Sequence, residues 1–340
     1  MRTLRDIPRP SEYCLEIAQS HDGSLGYVLA MLDALSKRGA KLVKFQMHLP
    51  EFESTSKEKF RVAFSNQDKT RTDYWARTGF KISEWQIIKE KCDELALEFL
   101  CTPLSPEAVE ILEGLSVHRY KIASADLTNE QLLKVVAATK KPVILSTGMA
   151  TILEIRTAVG ILESIDLTLL QCTSKYPSSI EEVGVNVIHE LRELFPNLSV
   201  GLSDHTGNIN VAMWAMALGA SFIEQHVVFS KEQFGPDTAS SVDLADVEAM
   251  MKFMHVGDIL LKSIVEKDKI ALALQELRAL FGRGLAPLRN IEKGEFITAE
   301  MLTLKKPVGP LGWDDLDHII GRRAIRNIRA SEHILQDDYE

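Results

Sequence analysis

Eight short apolar segments alternate with helical patterns along the first two thirds of the chain, and this alternation constrains the fold more than any other feature. The apolar segments predict strands at residues 13–18, 42–46, 98–102, 119–122, 142–145, 167–171, 199–202 and 222–226. Apolar residues at helical spacing predict intervening helices, among others at 25–36, 82–95, 131–138, 152–162 and 211–218. A repeated strand-then-helix order requires parallel strands, and eight such units can close into a (β/α)₈ TIM barrel with no exposed sheet edge. An open, doubly wound sheet is the alternative.

The last quarter of the chain has a different pattern. A charged helical stretch reaches about Phe281, and the glycines at 282 and 284 then supply a flexible break. After this break, short apolar runs are separated by KGE, KPVGPLG and RASEH, which is typical of a compact β-rich module with tight turns. We therefore predict a barrel domain at 1–262, a linker at 263–283 and a small β-rich domain at 284–340. The long polar segment 49–79 is interpreted as a βα loop near the barrel mouth.

Composition excludes several classes of protein. The chain of 340 residues has 45% hydrophobic residues, 39 basic residues and 48 acidic residues, so its formal net charge is −9. The hydrophobic content is that of a folded globular protein, and the charge balance gives no nucleic-acid footprint. The four cysteines lack the paired spacing of a zinc or redox motif, and no apolar run predicts a signal peptide or a membrane span. These features favour a cytoplasmic location.

Polar residues follow most of the predicted strands at their carboxyl ends, where the βα loops of a parallel barrel form a common mouth. These candidates are Glu16, Lys44, Gln46, Thr102, Lys121, Ser124, Ser146, the segment 173–176, Ser203, His205 and His226.

Two lysines in this set predict an anion site. Lys44 and Lys121 end separate apolar strands, and a buried ammonium costs several kcal/mol unless an anion compensates it. A phosphate and carboxylate ligand would do so. Alternatively, each lysine extends its ammonium group outward to water or pairs with a barrel glutamate. Ser124, Ser146 and Ser203 can add hydroxyl donors to the same ligand, or they can simply cap the next turn.

Two histidines predict a metal site. His205 and His226 close the last two predicted strands, so their imidazoles are expected to be neighbours at the barrel rim. A pair of imidazoles with open coordination positions suits a catalytic divalent ion such as Mn²⁺ better than a structural zinc ion. Such an ion polarises a carbonyl group, which points to carbonyl addition as the reaction class.

Seven motifs together resemble the sialic acid (N-acetylneuraminate) synthase family. They are EIAQSHDGS at 16–24, KFQ at 44–46, KIAS at 121–124, LSTGM at 145–149, LQCTSKYP at 170–177, GLSDHT at 201–206 and GPD at 235–237. The resemblance runs in order through the whole predicted barrel, and the C-terminal segment resembles the antifreeze-like (SAF) domain of that family.

The resemblance implies an α/β protein with a TIM barrel followed by a SAF domain, in a domain-swapped homodimer whose tails cap the partner's barrel. It implies condensation of phosphoenolpyruvate with an unphosphorylated N-acetylated amino sugar such as N-acetylmannosamine, with release of phosphate. The implied phosphoenolpyruvate site consists of Lys44, Thr102, Lys121, Ser124, Ser146, Ser174 and Ser203. The implied ligands of Mn²⁺ or Mg²⁺ are His205 and His226, and the implied sugar contacts are Gln46, Tyr176, Asp237 and Lys306. Glu16 is the candidate for handling a proton or steadying a cation, or it pairs with a lysine.

Three departures from the family pattern lie near the expected sugar site. Ser174 stands where the family often has Asn, Lys306 stands where it has Arg, and the first motif reads AQSHDG rather than GINHNG. Lysine cannot reproduce the planar, bidentate fork of arginine. We therefore expect that the acceptor can differ from N-acetylmannosamine, as in the synthesis of legionaminic or pseudaminic acid.

Two alternatives stay open. One is another phosphoenolpyruvate aldol synthase, of the type that makes 3-deoxy-octulosonate or 3-deoxy-heptulosonate phosphate, whose acceptors carry a phosphate and which lacks a SAF-like tail. The other is a noncatalytic carbohydrate-binding protein in surface polysaccharide assembly, which the changes at Ser174 and Lys306 would suit. The paired lysines and histidines argue against this second alternative.

Overall fold

The computed structural model, which describes residues 12–62 and 64–340, contains a closed barrel of parallel strands. Its strands are β1 (Glu12–Glu16), β2 (Leu42–Met47), β3 (Glu98–Pro103), β4 (Tyr120–Ile122), β5 (Val143–Ser146), β6 (Leu167–Cys172), β7 (Ser199–Asp204) and β8 (Phe222–Val227). Each strand pairs with the next, and β1 also pairs with β8 over residues 12–16, which closes the barrel. A short strand, β9 (Ser241–Val242), extends the sheet beside β8. The predicted TIM barrel is confirmed, and the open sheet is excluded.

Helices follow the strands as the sequence pattern predicts. Up to residue 262 they are α1 (Leu25–Lys37), α2 (Pro50–Glu53), α3 (Arg71–Thr78), α4 (Ile82–Glu94), α5 (Pro106–Gly114), α6 (Glu130–Ala138), α7 (Ile152–Ile161), α8 (Val185–Leu194), α9 (Ile209–Ala217) and α10 (Leu244–Lys262). Several begin at a residue whose side chain caps the helix, such as Ser24, Ser105 and Thr151. Each of the five predicted helices lies within two residues of its observed bounds.

The outward side chains of the strands form the main core with these helices. Phe45 of β2 stacks on Phe99 of β3 with ring centroids 5.1 Å apart, and both rings meet Trp85 of α4 edge-on. Burial of each such side chain stabilises the fold by about 2 to 3 kcal/mol. None of the helices formed by the described residues is long and apolar enough to cross a membrane.

The inward side chains are arranged in two layers, one apolar and one polar. The lower layer is a separate apolar cluster formed by Cys14, Leu42, Leu100, Ile144, Leu170 and Phe222. Since side chains two residues apart lie on the same face of a strand, the next inward residues belong to the layer above. This upper layer includes Glu16, Lys44, Thr102, Ser146 and Glu224, all of them buried. The barrel thus presents its chemistry at the carboxyl ends of the strands.

The first strand ends two residues earlier than the predicted bound at Ala18. Ala18 has a positive φ of 42°, and its backbone N–H donates to Oε1 of Glu16 at 2.7 Å. A left-handed backbone conformation at a residue with a side chain cannot continue a strand. The turn that follows β1 is therefore held by the carboxylate of Glu16 itself.

The C-terminal unit begins at Ser263. It contains α11 (Lys267–Ala273), α12 (Gln275–Phe281) and an antiparallel pair of strands, β10 (Gly284–Pro287) and β11 (Leu302–Lys305), followed by the short helix α13 (Leu316–Ile319). Three isolated antiparallel bridges add to the pair, and the core is a cluster around Leu285, Ile291 and Ile328. The stretch predicted as a linker at 263–283 thus includes two helices.

Candidate active site

The two predicted lysines lie in the polar upper layer of the barrel and share a carboxylate. Lys44 Nζ contacts Oε2 of Glu16 and donates to Thr102 Oγ1 at 3.3 Å. Lys121 Nζ donates to Ser146 Oγ at 2.8 Å. Glu224 lies between the two ammonium groups, with Oε2 at 3.8 Å from Lys44 and Oε1 at 3.5 Å from Lys121. Of the two kinds of partner expected for the lysines, the structure contains the glutamates, which are Glu16 and Glu224.

Glu224 is the residue of this group that the sequence analysis missed. Its side chain points inward because it lies two residues before His226 on β8, and this spacing in FIEQH was the available signal. Ser203 Oγ donates to its Oε1 at 2.9 Å, whereas its Oε2 is buried without a hydrogen bond among the described residues. Burial alone would raise the pKa of Glu224, but Lys121 and Lys44 lower it to about 2. The carboxylate is thus ionised at neutral pH.

Burial, together with the nearby ammonium group of Lys121, lowers the pKa of Lys44. The carboxylate of Glu224 partly offsets this effect. The ammonium form is costly to desolvate, and it is retained here because two carboxylates lie within reach.

The two predicted histidines are neighbours at the barrel rim, with ring centroids 5.3 Å apart. His205 Nδ1 lies 3.1 Å from the carbonyl oxygen of Thr173. Because a carbonyl group can only accept, Nδ1 carries the proton and Nε2 keeps its lone pair. Burial lowers the pKa of both imidazoles, and for His226 the adjacent His205 adds to the effect. Both rings are therefore neutral at pH 7, the form that binds metals.

A cavity of about 330 Å³ opens above this polar layer. Six of the predicted site residues line it: Gln46, Ser124, Ser174, Tyr176, His226 and Asp237. The two lysines do not line it themselves. Gln46 lies two residues beyond Lys44 on β2, and its Nε2 is 3.5 Å from Oε2 of Glu16, so the lysines lie one layer beneath the cavity floor.

Small hydroxyl groups meet at one side of the cavity. Ser124 Oγ accepts a hydrogen bond from the backbone N–H of Gly148 at 3.1 Å, and Ser174 Oγ lies 3.7 Å from Sγ of Cys172. A Cβ atom at residue 148 would overlap the hydroxyls of Ser124 and Ser174, so a side chain there would require both serine side chains to move. The predicted serines 124 and 174 are therefore adjacent, whereas Ser146 and Ser203 lie deeper beside Lys121 and Glu224.

The loop after β2 supplies a wall of the cavity that sequence reasoning did not resolve. His48 stacks on Trp75 at 3.7 Å between ring centroids and contacts Glu53 at 2.7 Å. Arg61 and Arg71 also line the cavity. Loop residues carry no periodic signal, so the pattern of the sequence could indicate the loop but not which of its side chains face inward.

Two further predictions concern the metal and the tail. Among the described residues, no group of three or more His, Cys, Asp or Glu side chains is arranged to hold a metal ion. The assignment of a metal to His205 and His226 stays a prediction. Lys306 lies in the C-terminal unit, where its Nζ is 5.2 Å from the ring centroid of Phe281. The assignment of Lys306 to a sugar site stays a prediction.

Comparisons with known proteins find similar sequences and structures. The pseudaminic acid synthase of Helicobacter pylori is 30% identical over 338 residues, which cover 98% of this chain and 98% of that protein. The N,N'-diacetyllegionaminic acid synthase of Legionella pneumophila is 31% identical over 98% of this chain and 97% of its own length. The crystal structure of N-acetylneuraminic acid synthetase from Leptospira borgpetersenii has a TM-score of 0.68 and 27% identity, and the match covers 79% of this chain and 93% of that one.

The family models divide the chain as the fold does. Residues 282–340 match the SAF domain, and residues 31–264 match the NeuB family. The resemblance noted from the motifs is confirmed, and so is the prediction of an enzyme. The SAF match favours this family over the aldol synthases that lack such a tail. The family model matches most of the barrel, and the named relatives align over almost their entire length. The chain therefore belongs to the NeuB family of sialic-acid-type synthases.

Proposed function

We propose that the protein condenses phosphoenolpyruvate with an unphosphorylated, N-acetylated amino sugar to form a nine-carbon sialic-acid-like acid. The observation that carries this proposal is the pair of buried lysines, Lys44 and Lys121, bridged by Glu224 directly beneath a cavity at the barrel mouth. In this reaction C3 of phosphoenolpyruvate bonds to the aldehyde carbon of the open-chain sugar. Water adds at C2, the bond between C2 and the bridging oxygen of the phosphate group breaks, and phosphate leaves with that oxygen.

The lysines suit a small donor that carries two anionic groups. Phosphoenolpyruvate carries a carboxylate and a phosphate, and two ammonium groups held in a water-poor layer stabilise such charges more strongly than exposed ones. Thr102 and Ser146 already accept hydrogen bonds from Lys44 and Lys121, so they orient the ammonium groups. Ser124 and Ser174 add hydroxyls on the cavity side. Ser203 bonds Glu224 and so positions the carboxylate between the lysines.

The imidazole pair fits a divalent metal ion. His205 presents Nε2 with a free lone pair, His226 lines the cavity, and both imidazoles are neutral. Two nitrogen ligands leave positions open for oxygen atoms of substrate and water, which suits Mn²⁺ or Mg²⁺. A bound ion of this type would act as a Lewis acid toward the aldehyde oxygen of the sugar. The ring of Tyr176, 4.1 Å from that of His205, limits the space beside this position.

The cavity lining supports an amino-sugar acceptor. Oε1 of Gln19 and Oη of Tyr74 are buried there without a hydrogen bond among the described residues, and such groups are satisfied by polar ligand groups or by water. Val62, Phe64 and Leu104 supply apolar surface for acetyl or methyl groups. N-acetylmannosamine fits these features. A di-N-acetylated 6-deoxyhexose, as for legionaminic or pseudaminic acid, is the second candidate, because Ser174 leaves more room than Asn and two named relatives make those acids.

A homodimer is part of the proposal. Large apolar side chains are exposed along α10 and in the C-terminal unit, among them Leu260, Ile264, Leu277, Leu280 and Phe281. Such a concentration of exposed apolar residues is typical of a protein interface. A domain-swapped dimer would cover them and would bring Lys306 of one protomer toward the partner's sugar site.

The test of the function is a product assay. We expect phosphate release when the protein receives a divalent metal, phosphoenolpyruvate and a mixture of N-acetylmannosamine with di-N-acetylated 6-deoxyhexoses. Mass spectrometry of the mixture should then contain a single new nine-carbon acid, which identifies the acceptor. If no acceptor releases phosphate while sugar binding is retained, the noncatalytic carbohydrate-binding alternative would replace this proposal.

A change at Glu16 tests its role in proton transfer. We expect Glu16→Gln to lower kcat by about 10² to 10³, because a general acid or base contributes that much, while the affinity for phosphoenolpyruvate changes little. Calorimetric titration with phosphoenolpyruvate, alongside steady-state kinetics, separates the two effects. Glu12→Gln is the matched control, since Glu12 lies at the other end of β1 and pairs with Arg119. Weakened phosphoenolpyruvate binding at normal turnover would instead assign Glu16 to holding Lys44.

A further inference from the structure

Arg61 of the loop after β2 makes a three-part contact on the cavity wall. Its Nη2 donates to Oδ1 of Asp237 at 2.6 Å, and its Nη1 donates to the carbonyl oxygen of Tyr176 at 3.3 Å. Its guanidinium carbon also lies 4.1 Å from the centre of the Tyr176 ring. Arg61 therefore engages Tyr176 and Asp237, two residues that line the cavity and that the family resemblance implies as contacts of the acceptor sugar.

The pairing with Arg61 is important for Asp237 because this carboxylate is largely enclosed. Its side chain is only 20% exposed, and burial raises its pKa, while Arg61 is the foremost of the groups that oppose this effect. A carboxylate in such a position is costly to leave without a cation. Separation of Arg61 from Asp237 would therefore be unfavourable.

The second arginine that lines the cavity also lies beside a carboxylate, although its Nε makes no hydrogen bond among the described residues. Arg71 Nε lies 3.1 Å from Oε1 of Glu58, and the guanidinium of Arg71 stacks 4.5 Å from the centre of the Trp75 ring. Each of the two arginines that line the cavity thus has its own carboxylate and its own aromatic ring. The wall offers oriented hydrogen-bond donors but little uncompensated positive charge for a phosphate group.

We propose that the Arg61–Asp237 pair selects uncharged acceptors and rejects sugar phosphates, an inference that rests on the proposed function. A phosphate dianion could recruit Arg61 only by separating it from Asp237, and it would then face the bare carboxylate. Hydroxyl and N-acetyl groups carry no charge, so they can bond to the pair without breaking it. A site that leaves a buried charge unpaired in this way discriminates strongly between related substrates.

The experiment compares an N-acetylhexosamine that the wild type accepts with its 6-phosphate. The measured quantity is the ratio of kcat/KM for the two acceptors. We expect the wild type to favour the unphosphorylated sugar by about 10² or more. Asp237→Asn removes the repelling carboxylate and frees Arg61, so the preference should fall by about tenfold or more, even though overall turnover also falls. Removing Arg61 as well, in Arg61→Gln with Asp237→Asn, removes the freed guanidinium and should raise the preference above that of Asp237→Asn alone, but below that of the wild type.

A control and the contrary outcomes make the test decisive. Lys59→Gln removes an exposed positive charge from the same loop and should leave the ratio unchanged. An unchanged ratio in Asp237→Asn would overturn this inference while leaving the synthase function intact. A wild type that prefers the phosphorylated acceptor would overturn both this inference and the unphosphorylated acceptor of the proposed function. If the product assay finds no N-acetylated sugar that the wild type accepts, that result would instead count against the proposed function. Circular dichroism of each variant verifies that the compared proteins are folded.

Discussion

Replacing Glu224 with Gln is expected to lower the free energy of unfolding by about 3 kcal/mol. Glu224 lies within 3.8 Å of both Lys44 and Lys121, and removal of one member of a buried charge group leaves the others uncompensated, which typically costs 3 to 5 kcal/mol. Chemical denaturation of the two proteins measures the difference. Glu248→Gln is the matched control, because Glu248 pairs with Lys252 on the surface of α10, where such pairs contribute at most about 0.5 kcal/mol.

The pH dependence of this difference provides a second measurement. The folded protein lowers the pKa of Glu224 from 4.5 to about 2, so the charge contributes stability above the unfolded pKa and loses it as the pH falls toward the folded pKa. The gap in unfolding free energy between wild type and Glu224→Gln should therefore shrink as the pH is lowered from about 4.5 to about 2. If Glu224→Gln changes the free energy of unfolding at pH 7 as little as Glu248→Gln does, Glu224 does not bridge the two lysines.

The second large effect is expected at the histidine pair. Replacing both His205 and His226 with Ala should lower metal-stimulated phosphate release by about 10³ or more, because the developing charge on the aldehyde oxygen would lose its stabilisation. Each single change should also weaken Mn²⁺ binding by about tenfold or more, measured by electron paramagnetic resonance of the free ion. This binding readout does not depend on turnover.

The control for this experiment is a histidine outside the site. His189 lies on α8 with its side chain 80% exposed, so His189→Ala should leave both Mn²⁺ binding and phosphate release unchanged. A wild type that remains fully active after chelation, or a double variant that still responds to metal, would remove the metal from the proposed reaction.

Much of the barrel could be predicted because its pattern is local. Apolar segments of strand length, separated by helical spacing, occur wherever a βα unit buries one face, and the eight predicted strands match the observed ones within about two residues at each end. The end of β1 is the clearest difference. Its position depends on the bond from Ala18 N–H to the side chain of Glu16, which no periodicity encodes.

The candidate site was only partly predictable. Residues at strand ends, such as Lys44 and His226, could be identified because the barrel topology brings all carboxyl ends to one mouth. Glu224 also lies near the carboxyl end of a barrel strand, but it is a single acidic residue within an apolar segment, and the segment was therefore interpreted only as a strand. Arg61 gave no signal at all, because its contact with Asp237 joins residues 176 positions apart in the chain.

The sequence by itself determined the strand and helix order, the family motifs and the inward position of the reactive side chains, because each depends on a short-range period or on motif identity. Only the tertiary structure decided which charges become partners. Whether Lys121 meets a substrate anion or a glutamate, and whether Arg61 covers Asp237, depends on distances across the barrel and its loops. Such distances arise from packing of segments far apart in the chain, and the strength of each ion pair follows from the burial that this packing creates.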